Sequence, residues 1–299
     1  MFVHEMTRGD EQNVFVETMR EEKPHSGKVL AAVQAHADDI PFFCAGTVAK
    51  LIAEGYTAHL IQTTNDEKCG PTTSIGKTVL SNEEEVQALA QVLGFDQVFN
   101  LEYRNHRMDA VSPLELRARL IFLFRLLQVD TIFTFNPWGH GEENPDHYVT
   151  AQAVEAACWM AGMDKDYTEH FAAGLEPHAV QEKYYWVARP GQPYNRVVDI
   201  SDVMDQKIQA MSVNKSQGPA GSQGSRLKER LATRGLRLPK LGDTDEEADR
   251  AYIELFCLDP YRDLGRRYGL EYAEAFFHVR PSQMSMVEDY VEEHALPLE

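Results

Sequence analysis

The segment Lys28-Val-Leu-Ala-Ala-Val-Gln-Ala35 constrains the fold more than any other stretch, because apolar residues fill both alternating sets of its positions. A half-buried strand alternates apolar with polar residues, whereas one covered on both faces does not. The run therefore predicts a central parallel strand. It leaves directly into His36-Ala37-Asp38-Asp39 and passes through Pro41 into an apolar, Gly-containing helical segment, Phe42 to Gly55. Further strands are predicted at 57–64, 97–101 and 130–135. Between them, Ser81-Asn-Glu-Glu84 reads as a capping box for a helix ending near Gly94. Ser112-Pro113-Leu114-Glu115 opens another helix to about Gln128. A helix pattern runs from Tyr148 to Met160. Later come strands at 183–188 and 196–200, a helix at 202–215, a basic helix-compatible stretch at 226–237, and a helix capped by Thr244 and running through Phe256.

This β-α alternation predicts an α/β fold with a mainly parallel sheet and helices on both faces. Residues 1–27 are polar and irregular. Neither a repeat nor a linker divides the chain, so residues 1–299 are read as one α/β domain. An inserted, flexible or helical segment is expected at about 218–260, beginning in the Gly/Ser-rich loop Ser216–Gly224.

Net charge is −18, from 29 basic and 47 acidic residues. That balance argues against phosphate-backbone binding, which needs Lys and Arg, and against anionic membrane surfaces. No apolar run approaches the ~20 residues of a membrane span. The acidic start lacks a signal-peptide core, and the four cysteines lie far apart, so a cytoplasmic location is expected. The expected partner is a small molecule rather than nucleic acid or membrane, and a homo-oligomer stays open.

In open parallel sheets the carboxyl ends of the strands line the ligand crevice. His36 and Asp39 follow one strand, and Asn144-Pro145-Asp146-His147 follows the strand at 130–135. His36, Asp39 and His147 thus supply two nitrogens and a carboxylate from two strand ends. That inventory suits a catalytic metal with a position left for water. Asp38 points away from Asp39 and could accept a proton from metal-bound water. Asn144 and His140 are candidate second donors, and Asp146 could orient a neighbouring group. Each residue also has an ordinary use: a hydrogen-bonded histidine, helix-capping aspartates, a Pro-fixed turn. Arg104, His106, Arg107 and Asp109 follow the third strand, and Arg104 and Asp109 are the candidate substrate contacts. Trp138 and Tyr184-Tyr185-Trp186 could stack on a substrate ring, although core packing is the commoner role of such residues.

The string AHADD-IPFFCAGTVAKLIAEG at 35–55, with NPDH at 144–147, resembles the PIG-L/LmbE family of zinc-dependent N-deacetylases. Lys207-xx-Ala210, Ser216-Gln217 and Tyr272-Ala-Glu-Ala-Phe276 are further echoes. The resemblance implies a Rossmann-like three-layer α/β/α fold and hydrolysis of an N-acetyl group on an amino-sugar-like substrate. It implies Zn2+, or another divalent metal, on His36, Asp39 and His147, with Asp38 as general base. Three positions depart from the family pattern. Ala37 stands in place of Pro, Cys44-Ala45-Gly46 in place of a more Gly-rich stretch, and Asn144 in place of a His. The last leaves open a relative with weak or altered activity, and a sugar- or nucleotide-binding module without catalysis is the reading from another class.

Overall fold

The computed structural model describes residues 14–280, 290, 291 and 293–296. The first half of the polar arm, residues 1–13, lies outside them. In chain order the elements are β1 (Phe15–Glu17), β2 (Val29–Gln34), α1 (Asp39–Phe43), α2 (Ala45–Ala53), β3 (Thr57–Thr64), α3 (Ile75–Leu93), β4 (Gln97–Tyr103), α4 (Pro113–Leu127), β5 (Thr131–Phe135), α5 (Pro145–Met160), α6 (Glu169–Ala172), β6 (Glu182–Trp186), β7 (Arg196–Asp199), α7 (Met204–Val213), α8 (Gln223–Ala232), α9 (Asp245–Phe256), α10 (Asp259–Arg267) and β8 (Ala273–Val279).

The strands form one sheet in the order β1-β7-β8-β6-β5-β2-β3-β4. All pairings are parallel except those of β8, which runs antiparallel between β6 and β7. The central strand β2 shows why the run at 28–35 lacks alternation. Leu30 and Ala32 pack with Val48, Leu51, Leu89 and Ile208 on one face. Ala31 and Val33 pack with Leu116, Leu120, Phe124 and Val154 on the other. Helices α2, α3 and α7 thus cover one side of the sheet, and α4 and α5 the other. Burying one Leu or Phe in such a layer contributes roughly 2 kcal/mol before entropy is counted.

From β2 the chain builds outward through β3 and β4, then returns to place β5 on the other side of β2. The strand order therefore reverses between β2 and β5, and a crevice opens at their carboxyl ends.

Several elements differ from the sequence reading. The helix expected at 42–55 is broken at Cys44 (φ −149°) into α1 and α2. A buried ion pair holds both sides of the break. Lys207 Nζ donates to the carbonyls of Pro41 and Phe42 at 3.0 and 3.1 Å and to Glu274 Oε1 at 2.7 Å. Glu274 accepts from the amides of Gly46 and Thr47 at 3.1 and 2.8 Å. The late motifs at 207 and 272–276 thus meet across the first helix. Helix α3 starts at Ile75, so Ser81 is not a cap. Asn82, one residue on, is buried inside the helix and donates to the carbonyls of Cys69 and Thr78. The capping box at Thr244 is formed as read, with Glu247. Within 218–260, α8 packs on α9 so closely that a Cβ on Gly224 would lie 1.9 Å from the carbonyl oxygen of Ala248. The loop before α8 is tied down: Ser216 donates to Glu85, and Gln217 donates to Asn82. Among the described residues no helix is long and apolar enough to cross a membrane.

Candidate active site

His36 and Asp39 sit on the turn leaving β2, and Asp39 ties that turn together. Its Oδ2 accepts from the amides of Ala35 and His36 at 2.9 and 2.8 Å, leaving Oδ1 for the crevice. His147 is the third residue of α5, whose N-cap is Asn144. The Asn144 Oδ1 accepts from the Asp146 amide at 3.0 Å, and the chain turns there because Pro145 fixes φ at the first helical position. Both strand ends so deliver a histidine to the switch point.

The donor atoms converge. His36 Nδ1 lies 2.9 Å from His147 Nε2, and His147 Nε2 lies 3.6 Å from Asp39 Oδ1. One ligand atom from each of the three falls within 4.8 Å of the others, and all three residues are buried. Four-coordinate ligands at ~2.0–2.1 Å from a metal are spaced by roughly 3.3 Å, so the spacing suits a small divalent cation. The remaining ring nitrogens explain the orientation. His36 Nε2 lies 3.1 Å from Asp146 Oδ2, and His147 Nδ1 lies 3.2 Å from Glu142 Oε1. Each carboxylate keeps the proton on its own side of the imidazole and turns a lone pair inward. Two inward lone pairs 2.9 Å apart repel unless a proton or a cation sits between them. The Phe135 ring, stacked on His147 at 4.0 Å between centroids, fixes the plane of that imidazole.

The electrostatics also favour a cation. Burial opposes a charged His36, yet the hydrogen bond to Asp146 and the charges of Asp39, Asp66 and Asp38 outweigh it and raise its pKa to about 10. Asp38 rises to about 7, first because it is buried and then because of the Asp39 charge, with His36 opposing. Its side chain faces the cavity beside Gly218, whose φ of +81° lets the 216–222 loop approach. A Cβ there would lie 3.0 Å from Asp38 Oδ2.

Asp146 is wholly buried and further held by Asn105 Nδ2 at 3.1 Å and by the amides of His106 and Met108 at 2.7 and 3.3 Å. Asn144 Nδ2 lies 3.3 Å from His147 Nε2, at the edge of the cluster. Other sequence candidates lie elsewhere. His140 is exposed and away from the cavity lining. Arg104 is drawn off to Glu67 at 2.9 Å, and Asp109 is exposed on the outer turn. The residue of that loop that lines the cavity is His106. Tyr184, Tyr185 and Trp186 are buried in the core, and Trp138 packs edge-on against Tyr185.

One contributor was missed by reading the sequence, and a second stood undecided among Asn65, Asp66 and Glu67, which follow the strand at 57–64 so that one of them could reach the site. Glu142 lies in a loop of mixed polar residues with nothing local to mark it. Asp66 follows β3, one of three adjacent polar residues, and only the fold shows that its Oδ2 accepts from the amide of Ala37 at 2.8 Å. A proline at 37 would have no such proton to give, so Asp66 fastens the turn in this chain by a bond the family's usual residue cannot make.

Fold and cluster together define an α/β protein with a His–Asp–His constellation at its switch point. Residues 31–158, which span both motifs, match the family model described as PIG-L: GlcNAc-PI de-N-acetylase. The diacetylchitobiose deacetylase of Thermococcus kodakarensis is 28% identical over 196 residues, covering 64% of this chain and 71% of that one. The solved N,N'-diacetylchitobiose deacetylase of Pyrococcus horikoshii shares the fold at a TM-score of 0.67 and 21% identity, over 91% of this chain and 87% of that one. GalB of Pseudomonas putida, a 4-carboxy-2-hydroxymuconate hydratase, does so at 0.62 and 17%, over 85% and 97%. The fold thus carries more than one reaction, and the chemistry has to be argued from the site.

Proposed function

We propose that this protein is a metal-dependent N-deacetylase that hydrolyses the acetamido group of an amino-sugar-like substrate. The observation that carries the reading is the paired orientation of His36 and His147, each backed by a carboxylate and each turning its free nitrogen toward the Asp39 carboxylate, His147 at 3.6 Å from Oδ1 and His36 at 3.9 Å from Oδ2. The name of the Thermococcus relative supports the substrate class. His36, Asp39 and His147 would hold the metal, taken as Zn2+, although nitrogen and carboxylate donors also suit other divalent ions. Bound there, such an ion would polarise the amide carbonyl and make water a better nucleophile at neutral pH.

The chain's own groups supply the rest. Asp38, ionised, takes a proton from water as the oxygen attacks the carbonyl carbon. The Asn144 amide, oriented by its bond to the helix terminus, donates to the oxygen on which negative charge develops. The C–N bond then breaks. Asp38 returns its proton to the departing nitrogen, since an Asn amide has no titrating proton to give, and acetate and a free amine leave. Asp146 and Glu142 position the two histidines. Incubating purified protein with divalent metal and N,N'-diacetylchitobiose, and measuring free amine, tests the reading. No release of acetate from any N-acetylated sugar, at full metal occupancy, would refute it.

A further inference from the structure

The cavity that begins at His36, Asp38 and His147 has a volume of about 980 Å³, the upper end of the ~300–1,000 Å³ usual for small-molecule pockets. A lone acetamido sugar leaves much of such a space empty. Part of its wall is apolar, formed by Phe42, Phe43, Val187, Phe256, Tyr261 and Leu264, alongside polar residues that include Arg189, Tyr194, Asp263 and Arg267. The hydroxyl of Tyr261 is already committed to the Phe42 carbonyl at 2.6 Å, so this side chain offers the cavity its ring. Phe256, the last residue of α9, is 53% exposed. Four of these six residues come from positions 187–264, beyond the 31–158 segment that matches the family model, so this wall is built by the later part of this chain. A sugar ring needs hydrogen-bonding partners that these six side chains do not supply. An alkyl or aryl group needs none.

We infer that the substrate carries an apolar group, alkyl or aryl, seated in this arm while its amide lies at the His–Asp–His cluster. The proposal rests on the deacetylase reading for the position of the amide. The occupant is the substrate itself, because arm and cluster are one continuous cavity. Burying each methylene is worth roughly fourfold in affinity, so even partial occupation discriminates strongly.

The test compares kcat/KM of the metal-loaded enzyme for N-acetylglucosamine, hexyl N-acetylglucosaminide and N-octanoylglucosamine, read as free amine. One of the two alkylated amides is expected to exceed N-acetylglucosamine at least ~10-fold, mostly through KM. The winner tells whether the arm receives the aglycone or the acyl chain. In Phe256→Ser and Leu264→Ser, checked for an unchanged Tm, the alkylated-to-plain ratio should fall at least fivefold. Equal kcat/KM for all three compounds, or a ratio unmoved by both variants, overturns the proposal. If no amide is cleaved, the deacetylase reading fails, and the arm is then judged by binding alone. Hexyl glucoside, unlike glucose, should raise the Tm of the wild type more than that of Phe256→Ser. No such difference overturns the arm as well.

Discussion

Glu142 Oε1 lies 3.2 Å from His147 Nδ1 and 3.1 Å from the Arg189 guanidinium, so one nearly buried carboxylate joins a candidate metal ligand to the 187–190 stretch of the cavity wall. Burial opposes its ionisation, but the hydrogen bonds from His147 and the Asn144 amide, with the nearby charges of His147 and Arg189, hold its pKa below the usual value. It therefore stays charged and keeps the imidazole proton on its own side. Replacing it by Gln keeps the shape and removes the charge. Such outer carboxylates are worth about 10–100-fold in metal affinity, and Glu142→Gln is expected to lose that much in a chelator-competition titration.

Metal and base roles separate cleanly by substitution. His36→Ala and His147→Ala should each come off a column with well under one metal per chain by elemental analysis. Asp38→Asn should keep its metal and lose about 10²–10⁴ in kcat. A fully active Asp38→Asn would remove Asp38 from the mechanism.

The Ala37–Asp66 bond gives a test specific to this chain. Ala37→Pro restores the family's usual residue but removes the N–H that Asp66 accepts. The buried carboxylate loses one partner, a cost of about 1–3 kcal/mol. Denaturant unfolding should show the loss, and Ala37→Gly, which keeps the N–H, should show less of it.

Lys207 and Glu274 form a fully buried pair that holds the break between α1 and α2. Removing one partner of such a pair costs about 3–5 kcal/mol, because a charge is left alone in the interior. Lys207→Met is expected to lower Tm by several degrees and to reduce kcat, since α1 begins at Asp39.

Acid sensitivity should report on Glu182. Burial would raise its pKa, but the hydrogen bond to His278 and the charge of Arg280 outweigh this and bring it from the ordinary 4.5 to about 2. A carboxylate lowered in the folded state stabilises the protein above its unfolded pKa, and that contribution disappears as pH falls through the folded one. The window is therefore from about 4.5 down to about 2, and the shift corresponds to at most about 3 kcal/mol. Glu182→Gln should be less stable than wild type in urea at pH 6, and the gap should narrow at pH 3.

The sequence by itself determined the layer architecture and both motif strings, because burial of a strand on two faces and the caps of helices are written in local residue patterns. Val29–Gln34 could not have been an edge strand, and Pro113 after Ser112 marked a helix start. Tertiary structure decided what lies far apart in the chain. It set the break at Cys44 through Lys207 and Glu274, more than 160 residues on, and brought Glu142 and Asp66 to the cluster. It also sent Arg104 to Glu67 rather than into the crevice. The physical reason is that a hydrogen bond or an ion pair acts over about 3 Å, and only the strand order determines which distant residues come that close.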